Sequence, residues 1–139
     1  MDDMTERVPG RTSWVTGISA ITLFAEDLNT SKQFYQRVFD VPVHYEDENS
    51  AVFLFGQVMI NVLATTSVDD LIAPAVMASR GAGARQVYTL PVDNVDALCV
   101  ELTRRGVELL NGPVDRPWGV RTASFLDPAG HIWELATRR

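Results

Sequence analysis

The chain has 139 residues, of which 46% are apolar and 22% are charged, and its formal net charge is −6. This size predicts one compact domain, and no apolar run approaches the roughly 20 residues that a membrane-spanning helix needs. The acidic surface would repel a phosphate backbone, so neither a membrane nor a nucleic acid is an expected partner.

The first half of the chain predicts a flexible arm followed by one β-α-β-β-β module, module one. Residues 1–13 mix charges, Pro and Gly with almost no apolar content, which is typical of a flexible terminus. The predicted elements of the module are a strand over 16–25, a helix over about 30–39, and strands over 43–45, 51–55 and 58–64. In the helix, Phe34 and Val38 are four residues apart, as are Tyr35 and Phe39, which gives an apolar stripe for packing on a sheet.

The second half repeats this plan after a connector over residues 65–85. The connector has a weak pattern, with room for a short helix over 68–79 before the flexible link of residues 80–84. The predicted elements of module two are a strand over 86–92, a helix from Asn94 to about Arg105, and strands over 107–111, 120–126 and 131–137. Gly106 is expected to end the helix.

A local similarity between residues 22–28 and residues 89–95 indicates an internal duplication. We therefore predict an α+β fold, a single domain over residues 14–139 with module one at about 16–64 and module two at about 86–137.

The single cysteine, Cys99, falls within the second helix and is expected to be a small core residue rather than a nucleophile. One cysteine excludes an internal disulfide, and no apolar signal-peptide core precedes Trp14, so a cytoplasmic protein is expected. Trp14 and Trp133 are interpreted as packing residues.

The last strand places a carboxylate in apolar surroundings. Residues 127–130, Asp-Pro-Ala-Gly, predict a tight turn between two strands. Because side chains alternate along a strand, Glu134 shares a face with Ile132, while His131 and Trp133 point to the opposite face.

Three motifs carry a resemblance to a known family. They are Asp27-Leu28 with Phe34-Tyr35 at the first helix, residues 93–96 (Asp-Asn-Val-Asp) at the second, and residues 125–135 at the final hairpin. With these motifs the sequence resembles the vicinal oxygen chelate superfamily, which includes glyoxalase I, extradiol dioxygenases and bleomycin resistance proteins. The resemblance implies two modules whose strands form a cupped mixed sheet around a ligand cavity, with helices outside, in a homodimer.

The resemblance also implies four metal-ligand positions, which fall here on Ala20, Asn61, Val87 and Glu134. Ala20 and Val87 have no donor atom, and a catalytic site needs about three His or carboxylate ligands. We therefore expect no metal cofactor. A site rebuilt from His44 and His131 would need a geometry that the predicted strands do not provide.

Strand alternation extends the predicted cup from Glu134 to its neighbours. The ligand-binding residues that we expect are Thr22, Phe24, Met59, Asn61, Leu63, Thr89, Trp118, Arg121 and Glu134. Such a lining suits a small-molecule pocket, and also a plain core. Arg121 either pairs with Glu134 or binds an anionic group beside an aromatic wall at Trp118.

Three functions are compatible with this pattern. The leading hypothesis is a metal-free protein that binds an aromatic or cationic small molecule, as in antibiotic resistance by drug sequestration. The alternative is a lyase, isomerase or dioxygenase that uses a divalent metal or Glu134 as general base. The third is an interaction subunit whose cup is filled by its own side chains.

Overall fold

A computed structural model describes residues 13–139. Of the predicted flexible arm, residues 1–12 lie outside the described residues and only Ser13 is described. Residues 13–19 form no helix or strand, so the first strand begins four residues later than predicted, at Ala20. Trp14 is 90% exposed, which corrects its interpretation as a packing residue.

The described residues form eight strands and three α-helices. Their bounds are β1 (Ala20–Ala25), α1 (Leu28–Phe39), β2 (Val43–Glu46), β3 (Ser50–Phe55), β4 (Val58–Ala64), α2 (Val68–Ile72), β5 (Val87–Pro91), α3 (Val95–Arg104), β6 (Leu109–Asp115), β7 (Val120–Leu126) and β8 (Ile132–Arg138). Within residues 13–139 no helix is long and apolar enough to cross a bilayer.

The strands form two four-stranded sheets with the same topology, in the orders β1-β4-β3-β2 and β5-β8-β7-β6. In each sheet the first and last strands of a module pair in parallel, and the other pairs are antiparallel. The α+β class and the repeated module are therefore confirmed.

Side-chain caps fix where the two long helices begin. Asp27 accepts a hydrogen bond from the Thr30 amide (3.1 Å), and Asn94 accepts one from the Ala97 amide (3.0 Å). Each satisfies an amide that lacks a partner in the first helical turn. Gly106 then ends α3 at a positive φ of 85°.

Helix α1 packs against both sheets. The ring of Tyr35 stacks on Phe53 of β3, with centroids 5.4 Å apart, and meets the edge of Trp133 of β8 at 6.0 Å. Phe34 lies 6.3 Å from Phe125 of β7. The two modules therefore share one aromatic core, and each sheet turns its other face away from this helix.

A hydrogen-bonded chain runs through this core to the last turn. The Trp133 indole donates to the Tyr35 hydroxyl (3.1 Å), which donates to Oδ2 of Asp127 (2.7 Å). Oδ1 of Asp127 accepts from the amides of Ala129 and His131, both at 2.9 Å. Asp127 is only 3% exposed, so this carboxylate is satisfied entirely by protein groups of the described chain.

Tyr35 predicts a pH effect on stability. Burial and the Asp127 carboxylate raise the pKa of the Tyr35 phenol well above its usual value. The unfolded chain loses this proton near pH ~10, whereas the folded chain keeps it, so the stabilisation is present below that pH and is lost as the pH rises. We expect the melting temperature, followed by circular dichroism, to fall more steeply above about pH 10 in the native chain than in Tyr35→Phe. Parallel profiles would contradict the assignment.

Strand β6 is irregular and longer than predicted. It runs to Asp115 instead of residue 111, and its pairing with β7 shifts twice between Leu109 and Val114. Gly112 has φ 87°, and a Cβ there would lie 2.4 Å from the carbonyl oxygen of Thr122. Only glycine permits this close approach.

Candidate ligand-binding site

Each sheet has one face that the helices do not cover, which we call its open face. The first open face is formed by β1, β4 and β3, and the second by β5, β8 and β7. Large apolar side chains are exposed on both: Leu54 (43%) and Met59 (36%) on the first, Val87 (51%) and Leu126 (39%) on the second. Contiguous apolar surface of this kind is typical of ligand or protein contacts.

The first open face holds five of the predicted binding residues. Strand register places Thr22 beside Asn61 and Phe24 beside Leu63 across β1 and β4, and Met59 beside Ala20, one of the implied metal positions. The Asn61 amide nitrogen lies 3.4 Å from the Thr22 hydroxyl, and the buried Oδ1 of Asn61 has no hydrogen-bond partner among the described residues. An unsatisfied acceptor inside an apolar surface favours a ligand that donates a hydrogen bond.

The second open face holds Thr89 and Glu134. The two residues pair across β5 and β8, and the Thr89 hydroxyl donates to Oε1 of Glu134 at 2.8 Å. Glu134 is half-buried, and no cation of the described chain lies within ion-pair distance of it. The second carboxylate oxygen is therefore available to a ligand cation.

Arg121 lies on the opposite face of β7, which corrects its assignment to the cup. Its guanidinium binds both oxygens of Asp96 on α3, at 3.0 Å each, and Asp115 at 3.0 Å. These hydrogen bonds hold the pKa of the Asp96 carboxyl below its usual value. Because Ser124 faces Glu134 across the hairpin, Arg121, three residues away, points toward the helix, and no Arg121–Glu134 pair forms.

Arg116 is a cationic side chain near the second open face that the sequence analysis did not predict. Its Nε donates to the Thr122 hydroxyl on the second open face (2.9 Å), and its guanidinium lies 6.0 Å from the ring of Trp118. Trp118 is 69% exposed in the loop between β6 and β7. Alternation from Val114, which pairs with Thr122, puts Arg116 on the same face as Thr122. The two register shifts in β6 prevented this placement from being predicted.

The residues at the implied metal positions do not fit a metal. Ala20 and Val87 offer no donor atom, so the four positions supply only one carboxylate, Glu134, and one neutral amide, Asn61. Residues 13–139 contain no group of three His, Cys, Asp or Glu side chains that could hold an ion. His131 is bonded through Nε2 to the Phe24 carbonyl oxygen at 2.8 Å.

Cys99 is buried in α3, and burial raises the pKa of its thiol. A protonated, buried thiol suits packing rather than nucleophilic chemistry. The thiol is free of disulfide bonding.

Two cavities lie away from these polar groups. One, of about 220 Å³, is a partly open cleft between the connector and the ends of β1 and β8. The other, of about 400 Å³, lies between α1, α3 and β5, and is lined mainly by Phe39, Leu98, Leu102 and Phe125. Neither cavity is lined by Asn61 or Glu134.

Known proteins of one superfamily share the fold of this chain. Residues 17–135 match the model of the glyoxalase/bleomycin resistance protein/dioxygenase superfamily. A glyoxalase/bleomycin resistance protein/dioxygenase from Nocardioides is 22% identical, with a TM-score of 0.80 over 91% of this chain and 86% of that one. Lactoylglutathione lyase from Agrobacterium tumefaciens is 20% identical, with a TM-score of 0.71 over 88% and 94%. No curated protein sequence matches.

Proposed function

Because the chain belongs to the glyoxalase/bleomycin resistance protein/dioxygenase superfamily, we propose that it binds a small organic ligand on its open sheet faces without a divalent metal. The observation that carries the proposal is the composition of these faces. Exposed apolar side chains surround a few polar groups with unused bonding capacity, Oδ1 of Asn61 and the Glu134 carboxylate. Binding sites for small molecules combine apolar walls with such sparse polar groups.

The favoured ligand is an aromatic cation. Glu134 supplies a carboxylate without a cationic partner in the described chain, and the net charge of −6 attracts cations over longer range. Trp118 supplies an exposed aromatic ring in the β6–β7 loop, next to Arg116, which is hydrogen-bonded to Thr122 on the second open face. By sequestering such a molecule, the protein would act in drug resistance. A reducing cytoplasm is the compartment that suits its free Cys99.

A homodimer would turn the open faces into a pocket. In one chain the helices fill only the inner side of the sheets, and Met59 and Val87 stay exposed on the outer side. A second copy placed over these faces would bury the apolar side chains and enclose Asn61 and Glu134 from two chains. This assembly supports binding that a single open sheet face would achieve only weakly.

Replacing Glu134 by Gln should weaken binding of an aromatic cation. We expect the Kd for proflavine, measured by fluorescence anisotropy, to rise about tenfold in Glu134→Gln, since the ion pair is lost while shape is kept. Glu48→Gln is the control, because it removes the same charge from the exposed β2–β3 turn. The anionic dye 8-anilinonaphthalene-1-sulfonate should not show this loss. Equal effects of the two substitutions on proflavine would overturn the role of Glu134.

A chelator distinguishes this binder from the enzyme alternative. We expect proflavine binding to be unchanged in excess chelator, and the purified protein to hold no stoichiometric metal by elemental analysis. Stoichiometric Mn, Fe, Ni or Zn, with binding that chelator abolishes, would instead favour a metal-dependent lyase, isomerase or dioxygenase.

A further inference from the structure

We propose that the cavity beneath the connector binds a free α-amino acid with a small apolar side chain. The cavity borders the open faces at Phe24 and Ile132 but is not lined by Glu134, and the inference does not depend on the function proposed above. The cavity has a volume of about 220 Å³, smaller than the clefts of roughly 300–1,000 Å³ that hold drug-sized ligands. Both modules and the connector contribute to its lining, which contains charged groups of both signs.

The connector is fixed over the cavity by Arg80. Its Nε donates to the carbonyl oxygen of Pro128 at 2.9 Å, and its methylene chain lies against Gly130. Gly130 has φ 95°, and a Cβ there would come within 3.4 Å of Cγ of Arg80. Arg80 is therefore positioned on the β7–β8 turn, and the rest of its guanidinium has no bonded partner among the described residues.

Arg80 and Arg85 supply the anion-binding groups of the cavity. Both line it, and neither forms an ion pair with any residue in the described part of the chain. A guanidinium presents paired N–H donors that match the two oxygens of a carboxylate. The α-carboxylate of an amino acid is the group that suits these arginines.

Glu26 and His131 supply hydrogen-bond acceptors to the same cavity. Glu26 follows β1 and lines the cavity with a carboxylate that has no ion-pair partner in residues 13–139. Nε2 of His131 lies 2.8 Å from the carbonyl oxygen of Phe24, which can only accept, so this nitrogen carries the proton. In the neutral ring Nδ1 is then an acceptor. An α-ammonium group, with three N–H donors, can satisfy both residues.

The remaining walls are apolar. Phe24, Tyr88 and Ile132 line the cavity, and the Tyr88 hydroxyl is occupied by a hydrogen bond from Gln86 at 3.2 Å. A zwitterion can pair with groups of both signs, whereas a simple acid would not engage Glu26 and a simple amine would not engage the arginines. The size and the apolar walls select a short aliphatic side chain.

Calorimetric titration with three matched probes tests the proposal. L-Valine should bind with a Kd below about 1 mM, and 3-methylbutanoate and L-valinamide, which lack the ammonium and the carboxylate, should each bind about tenfold or more weakly. Arg85→Gln should weaken valine binding by a similar factor and also weaken 3-methylbutanoate. Glu26→Gln should weaken valine binding without weakening 3-methylbutanoate.

The control is Arg104→Gln, which removes the same charge from the exposed end of α3, away from the cavity. It should bind valine as the native chain does, and unchanged melting temperatures should show that all three variants are folded. The proposal is overturned if valine shows no saturable binding, if valinamide binds as well as valine, or if Arg85→Gln and Arg104→Gln behave alike.

Discussion

Replacing Asp127 by Ala should lower the free energy of unfolding by about 3–5 kcal/mol, because it removes a buried carboxylate that three donors need. The Tyr35 hydroxyl and the amides of Ala129 and His131 would all lose their acceptor at a site that is 3% exposed. Urea unfolding, followed by far-ultraviolet circular dichroism, measures the loss.

Asp127→Asn is the matched control. It keeps one carbonyl oxygen for the amides of the turn and loses only the charge, so a smaller loss, of about 1–2 kcal/mol, is expected. Because Asp127 and Tyr35 share a hydrogen bond, the double variant with Tyr35→Phe should lose less than the sum of the single losses. Additive losses, or a loss below about 1 kcal/mol in Asp127→Ala, would remove the carboxylate from the core network.

Replacing Trp133 by Ala should cost about 3–5 kcal/mol, since it deletes the largest side chain of the shared core. Trp133 is 2% exposed, and its ring lies within 6.0 Å of the rings of Tyr35, Phe39, Phe55 and Tyr88. The cavity that remains would be lined by aromatic groups from both modules, which cannot all move to fill it. Equilibrium urea unfolding gives the value.

Trp14→Ala is the control for Trp133→Ala. Trp14 is the same residue type at 90% exposure, so its replacement should change stability by no more than about 0.5 kcal/mol. Similar losses at the two tryptophans would contradict the assignment of Trp133 to the core. A Trp133→Phe variant, which keeps an aromatic ring but loses the donor to Tyr35, should fall between the two.

Local patterns predicted most of the fold because the residues that begin and end its elements lie within a few positions of one another. Strands β4 and β7 begin and end where alternation and turn residues placed them, and α1 begins at a cap that Asp27 supplies. The burial of Trp133 followed from the alternation that separates it from Glu134. These signals need no knowledge of distant contacts.

The positions of Arg121 and Arg116 could not be predicted from local patterns. Which face Arg121 occupies depends on the pairing of Ser124 with Glu134, which the length of the turn at residues 127–131 sets. The place of Arg116 depends on two register shifts in β6, which leave no trace in the alternation of residues. The connector cavity could not be predicted either, since it forms only where residues 77–86 meet the end of β1 and the β7–β8 turn.

The sharing of α1 between the two sheets bears on how the molecule comes apart. Tyr35 touches Phe53 of its own module and Trp133 of the other, so neither repeat can lose its order without exposing the core of its twin. The repeats should therefore melt together, as one cooperative unit rather than as two independent foldons. A sequence built from two similar halves thus behaves thermodynamically as an indivisible whole.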